Sequence, residues 1–172
     1  MTQERDPQSR YARQRGNPEK ELLQGTTPTP FSIFSYHLSS GDDEAAMDQL
    51  TEDIEWDLMP NGQMYKGKEQ VSQFCKAGWR GANERTPEVI NDVAGSDWGV
   101  FEYWNRATIA EGSTEFARVA KLPFPGDIRS ALGREFKVAV CFVYHFNEQG
   151  KIDLIREYTD MGSIMAQISE NR

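Results

Sequence analysis

The chain has 172 residues, of which 38% are hydrophobic, 27% charged and 11% aromatic, and its formal net charge is −8. That length holds one medium domain, able to bury roughly 70% of its extended surface without disulfide or metal staples. The composition excludes collagen-like, low-complexity and wholly disordered chains, and the longest apolar run, Val138 to Tyr144, is too short to cross a bilayer.

The charge is uneven. Residues 1–30 carry five basic and four acidic groups; residues 31–172 carry fourteen basic and twenty-three acidic. An acidic body repels phosphate backbones, so no nucleic-acid partner is expected. The first residues lack the apolar stretch of a secretory signal. Cys75 and Cys141 lie 66 positions apart, without metal or redox spacing. A reduced cytoplasmic protein with no membrane partner is the expectation.

Residues 1–30 show no hydrophobic periodicity before Leu22 and end in Gly-Thr-Thr-Pro-Thr-Pro, which reads as a polar arm and linker. Phe31, Phe34, Tyr36 and Leu38 follow helical spacing and stop at Gly41. Asp42 can cap a short second helix. Ile54, Trp56 and Leu58 alternate with polar residues, as in a half-buried strand ended by Pro60-Asn61-Gly62. Gly67 opens a helix carrying Val71, Phe74 and Cys75. A short, weak strand over Val89 to Val93 and a long one over Trp98 to Ile109 follow. Glu111 to Gly133 reads as a long, partly apolar loop. The cleanest alternation is Phe136, Val138, Val140, Phe142, Tyr144 and Phe146, turned by Asn147 to Gly150 into a last strand, Lys151 to Tyr158. Runs of helices and then strands indicate an α+β fold, with 31–172 as one domain and 111–133 as its insertion.

Three stretches then form a familiar order. They are Tyr36-His37-Leu38-Ser39-Ser40-Gly41-Asp42, Leu50 to Trp56 with Gly67 to Val71, and Gly150 to Asp160. Together they resemble the nuclear-transport-factor-two-like superfamily, in its SnoaL-like polyketide-cyclase and limonene-epoxide-hydrolase branch, over roughly residues 31–165. The resemblance implies a cone-shaped, curved antiparallel sheet with helices closing a deep apolar pocket. It implies a homodimer through the outer sheet face, and chemistry without metal or cofactor. The superfamily contains isomerases, dehydratases, cyclases, hydrolases, lyases and binding modules, so fold alone does not set activity.

Carried over residue by residue, the last-strand acid of the epoxide hydrolases matches Glu157. Their arginine and second acid match Trp104 and Arg106. Their water-holding pair matches Trp56 and Leu58, neither of which is the amide that pair needs, so epoxide hydrolysis is disfavoured. The helix tyrosine of the ketosteroid isomerases matches Phe34, which has no hydroxyl. The implied pocket holds Phe34, Trp56, Leu58, Trp104, Val138, Val140, Phe142, Tyr144 and Ile155. Glu157 is its acid or base, Arg106 its anion stabiliser and Tyr144 a proton donor. Phe124, in the insertion, would cover the ligand.

Such a site suits proton abstraction followed by elimination, isomerisation or retro-aldol cleavage of a small hydrophobic, aromatic molecule. Polyketide or ester cyclisation, and a non-catalytic binding or dimerisation module, are the alternatives. A structural Arg106–Glu157 ion pair stands beside the catalytic reading. His145, on the strand face opposite Tyr144, belongs to the outer surface or the dimer interface.

Overall fold

A computed structural model describes residues 28–169, apart from Pro60, residues 122–126 and the side chains of Glu84 and Thr86. The arm up to residue 27 and Phe124 therefore lie outside the described residues.

Helix α1 (Pro30–Ser40) forms where the spacing predicts. Thr29 caps it by accepting from the Ser32 amide, and Pro30 presets the first turn. Gly41 ends it at φ 81°, a left-handed conformation that side chains resist. Asp42 accepts from the Ala45 amide at 3.1 Å and starts α2 (Asp43–Asp48). Strand β1 (Leu50–Leu58) turns through Gly62 into β2 (Gln63–Lys66), which leads into α3 (Gly67–Arg80). The hairpin partner β2 is too short to show a period in the sequence.

Strand β3 (Ala82–Ala94) is far longer than the weak pattern around Val89 suggests. Pro87 and a run of charges hide it, and both are tolerated because β3 is an edge strand. It pairs with β4 (Trp98–Ile109), which pairs with β5 (Glu135–Phe146) and that with β6 (Ile152–Thr159). The predicted loop between β4 and β5 contains α4 (Ser113–Val119) and a 3₁₀ turn (Ile128–Ala131). Helix α5 (Met161–Ser169) closes the chain, with Asp160 accepting from the Ser163 amide at 2.9 Å.

The six strands form one strongly curled sheet in the order β2-β1-β6-β5-β4-β3. Every neighbouring pair is antiparallel except β1 with β6. The concave face holds one apolar core, including Phe31, Phe34, Trp56, Phe101 and Phe142. Among the described residues no helix is long and apolar enough to cross a membrane.

Strand parity fixes which side chains enter the cone. Phe101, Tyr103, Asn105 and Ala107 stand opposite Phe142, Val140, Val138 and Phe136, so all eight share the inner face. Trp104 and Arg106 stand opposite Ala139 and Lys137 on the outer face.

Tyr144 is fully buried and lies across from Gly99 in register. A Cβ at Gly99 would sit 2.2 Å from the Tyr144 ring and hydroxyl. The glycine is thus required by close approach of the ring. Gly99→Ala is expected to destabilise the fold by about 1–3 kcal/mol through overpacking. In a Tyr144→Ala background the same change should add much less, a non-additivity read by urea unfolding of the four-member cycle.

Candidate functional site

Four strands of the curled sheet each send a polar side chain inward. Trp56 comes from β1, Glu157 from β6, Tyr103 from β4 and Arg85 from β3. Glu157 lies next to Leu58 and Phe142 in the strand register. Its carboxylate accepts from the Trp56 indole at 3.1 Å and from the Thr159 hydroxyl at 2.8 Å. Burial pushes its pKa above the ordinary carboxylate value, while the two hydrogen bonds and the Arg85 charge pull the other way.

Arg85 reaches the interior because β3 bulges. Asn83 pairs with Thr108 and Thr86 with Arg106, so Glu84 and Arg85 together face Ala107. A bulge re-aims the extra residue. The guanidinium donates through Nη2 to the Gly78 carbonyl on α3 and stacks over the Trp79 ring at 5.3 Å. Its Nε is buried without a hydrogen-bond partner among the described residues. Burial lowers its pKa, while Tyr103 and Glu157 favour the charged form.

Tyr103 stacks on Phe142 with ring centroids 6.1 Å apart. Burial lifts its hydroxyl to about 12, with Arg85 lowering and Glu157 raising it. Tyr65 is likewise lifted to about 12, by burial and then by Glu157, and donates to the Val119 carbonyl at 2.8 Å. The Cys75 thiol is raised by burial first and by Glu157 second. Arg85, Tyr103 and Glu157 are enclosed by protein, yet each keeps some accessible surface. Arg85 and Glu157 feel each other's charge, but no contact ion pair joins them among the described residues.

Helix α4 closes one side. Phe116 packs on Phe74 at 5.9 Å and against Gly78 and Gly81, while Tyr65 and Asn61 bind the carbonyls of Val119 and Ala120. The segment expected to be a loop thus supplies a packed wall.

The residues expected from the sequence divide into three groups. Glu157, Trp56, Leu58 and Phe142 come together as expected. Phe34, Val138, Val140, Ile155 and Tyr144 belong to the sealed core behind them. Tyr144 is 0% exposed, with its hydroxyl beside Thr29 and the Phe31 backbone, and lacks the access that a proton donor requires.

Trp104 and Arg106 are corrections. Trp104 is 38% exposed and lies under the Lys137 ammonium at 4.7 Å. Arg106 is exposed and pairs with Glu135 at 2.8 Å on the outer face. The assignment was one residue out along β4, and a one-residue slip moves every side chain to the other face. The inward residues are Tyr103 and Asn105, and the interior cation is Arg85. The signal that could have found the first two was the pairing of β4 with the clear alternation of β5. Nothing in the β3 sequence marks the bulge that turns Arg85 inward. His145 lies outside, as expected, with Nδ1 2.5 Å from Asp153 Oδ1. No cluster of three or more histidine, cysteine, aspartate or glutamate side chains is placed to hold a metal among the described residues.

The Glu157 pKa has a consequence for stability. The folded protein holds this proton more tightly than the unfolded chain does. The associated stability is full below the ordinary carboxylate range and is lost as pH rises through the folded value. Glu157→Gln should remove that loss. The variant is expected to gain stability relative to wild type as pH rises from acid to neutral, in urea unfolding across that range; parallel curves would contradict the buried, uptitrated carboxylate.

A SnoaL-like domain family model matches residues 33–155. No curated protein matches the chain in sequence. Several solved structures share its fold. A Catenulispora acidiphila protein with a ketosteroid isomerase-like fold, in complex with trimethylamine, is 14% identical, with a TM-score of 0.61 over 84% of this chain and 95% of that one. A candidate polyketide cyclase of Pseudomonas putida is 18% identical, with a TM-score of 0.60 over 83% and 98%. An LEH-like epoxide hydrolase of M. tuberculosis is 13% identical, with a TM-score of 0.58 over 81% and 86%. At these identities the likeness is one of fold. With the family match covering most of its domain, the chain belongs to the SnoaL-like domain family, which includes cyclases and isomerases.

Proposed function

We propose that this chain is a cofactor-independent enzyme of lyase or isomerase type, acting by general acid–base chemistry on a small hydrophobic, aromatic molecule. The observation that carries the reading is Glu157: a carboxylate among aromatic side chains, oriented by the Trp56 indole and Thr159 hydroxyl, with its pKa raised by burial. A carboxylate whose pKa is raised is a stronger base than an exposed one, and more of it is in the acid form available to return the proton near neutral pH. The rings of Trp56, Tyr65, Phe74 and Tyr103 make the surroundings aromatic, which suits a flat apolar substrate. Glu157 would take a proton from substrate, and elimination, isomerisation or retro-aldol cleavage would follow. Polyketide or ester cyclisation begins with the same abstraction and differs in the electrophile that the carbanion meets; the cyclase-like fold neighbours favour keeping it as a second reading.

The test is product formation by mass spectrometry on aryl diols, β-hydroxy ketones, a polyketide-like ester and an epoxide, without added metal or cofactor. Glu157→Gln is expected to lower turnover by about 10²–10⁴-fold with the fold intact. Arg106→Gln, on the outer face, should leave turnover unchanged. Full activity in Glu157→Gln would overturn the assignment, and silence across the panel would shift weight to a binding module.

The homodimer through the outer sheet face is proposed alongside. Trp98, Trp104, Tyr158 and Val93 are exposed, and Trp104, Tyr158 and Val93 share the convex face of the sheet. An apolar patch of this kind is typical of an interface. Trp104→Glu is expected to convert a dimer to monomer in sedimentation velocity; a monomeric wild type would refute it.

A further inference from the structure

The interior cation is the feature that the acid–base reading leaves unused. A buried arginine without a contact carboxylate is unusual, because guanidinium groups inside proteins are paired or multiply hydrogen-bonded. Here one Nη is tied to the Gly78 carbonyl and the plane rests on Trp79. Nε has no acceptor among the described residues, and Glu157 acts on the guanidinium through its charge, with no contact ion pair between them among the described residues. A donor left so in an interior is an energetic liability unless an incoming oxygen satisfies it. Tyr103, whose hydroxyl feels the charges of both Arg85 and Glu157, comes from β4, the strand paired with Arg85's β3.

We infer that Arg85 is the oxyanion-binding residue of this pocket, and that the substrate is a neutral carbonyl compound whose enolate or phenolate oxygen comes to rest on its guanidinium. The inference rests on Glu157 as the base for the direction of proton transfer. The charges support it. Empty, the site holds one cation and one carboxylate. When Glu157 takes a proton from the carbon next to the carbonyl, the C–H electron pair becomes the enolate double bond. The carbonyl π pair moves onto oxygen. Negative charge then passes from the carboxylate to the substrate oxygen, and Arg85 is the counter-ion before and after. The site stays neutral overall, so no charge is created in the low-dielectric interior during the step. A substrate that arrived as an anion would instead place two negative charges against one cation.

The arrangement also explains the bulge in β3. A regular strand would present alternate residues without the extra one, and the bulge brings the guanidinium across the cone from β6. Its support from Gly78 and Trp79 holds the planar fork in one orientation, which a lysine could not reproduce.

The test uses substituted nitrophenols as planar enolate mimics, read by absorbance and fluorescence titration of the full chain at a pH where the free phenol is mostly neutral. Wild type is expected to bind the probe and turn it to the coloured phenolate. Arg85→Gln should bind roughly 10- to 100-fold more weakly and leave the bound probe neutral. Arg85→Lys should keep some phenolate colour with reduced affinity, which serves as the readout if the glutamine variant does not fold. Glu157→Gln should bind the phenolate at least as tightly as wild type, because a like charge is removed. Phenolate colour undiminished in folded Arg85→Gln, or a wild type that binds the probe only as the neutral phenol, overturns the inference. Failure of the base assignment looks different: turnover would survive in Glu157→Gln while phenolate binding still depended on Arg85.

Discussion

One carboxylate inside an aromatic cone constrains the rest of this structure. Removing a charged group from water is expensive, and the expense is met only by fixed dipoles and nearby opposite charge. Glu157 has all three kinds of help: an indole N–H, a hydroxyl and a cation at a distance. Each comes from a different place in the chain. Thr159 is two residues along the same strand, Trp56 is on the parallel neighbour, and Arg85 is at the far edge of the sheet. The curl of the sheet turns the edge strand β3 toward the same interior as β6. In a flat sheet, β3 and β6 would be separated by two intervening strands, and the arginine's field would not reach the carboxylate with the same effect.

Closure by helices completes that environment. Helix α3 packs with Phe74 and Cys75 buried, and α4 docks on Gly78 within it and on Gly81 at its C-terminal cap. The same stretch of α3 supplies the carbonyl that holds Arg85. Packing and electrostatics therefore meet at Gly78, where the lack of a side chain admits Phe116 and the backbone oxygen accepts the guanidinium. The narrow end is filled differently: Phe31 packs against Phe101, Phe142 and Tyr144, and Tyr144 has no exposed surface. The interior polar groups Glu157, Tyr103 and Arg85 keep some accessible surface away from that sealed core.

Much of the fold was legible from local pattern. Alternation from Phe136 to Phe146 marked the central strand and its inner face; Gly41, Asp42 and Asp160 punctuated the helices as capping chemistry requires. Glu157 could be placed because the motif around it is contiguous and its strand is regular. Trp104 and Arg106 were misplaced because β4 is rich in aromatic residues on both faces, so its own sequence does not say which face is inward. Only pairing with β5 resolves the parity. The helix in the insertion was missed because its seven residues carry too little periodicity to stand out between glycines and prolines.

The chain by itself determined the fold class, the family and the presence of an acid on the last strand, since these follow from periodicity, turn residues and a contiguous motif. The tertiary structure decided which cation faces that acid. Arg85 enters the interior through a bulge, whose position depends on hydrogen-bond register between two strands and not on any local preference of its residues. It also decided that Tyr103 keeps access while Tyr144 loses it. Two tyrosines with similar neighbours in sequence differ here because one ring lies over a glycine in the sealed end and the other lies beside the charged pair.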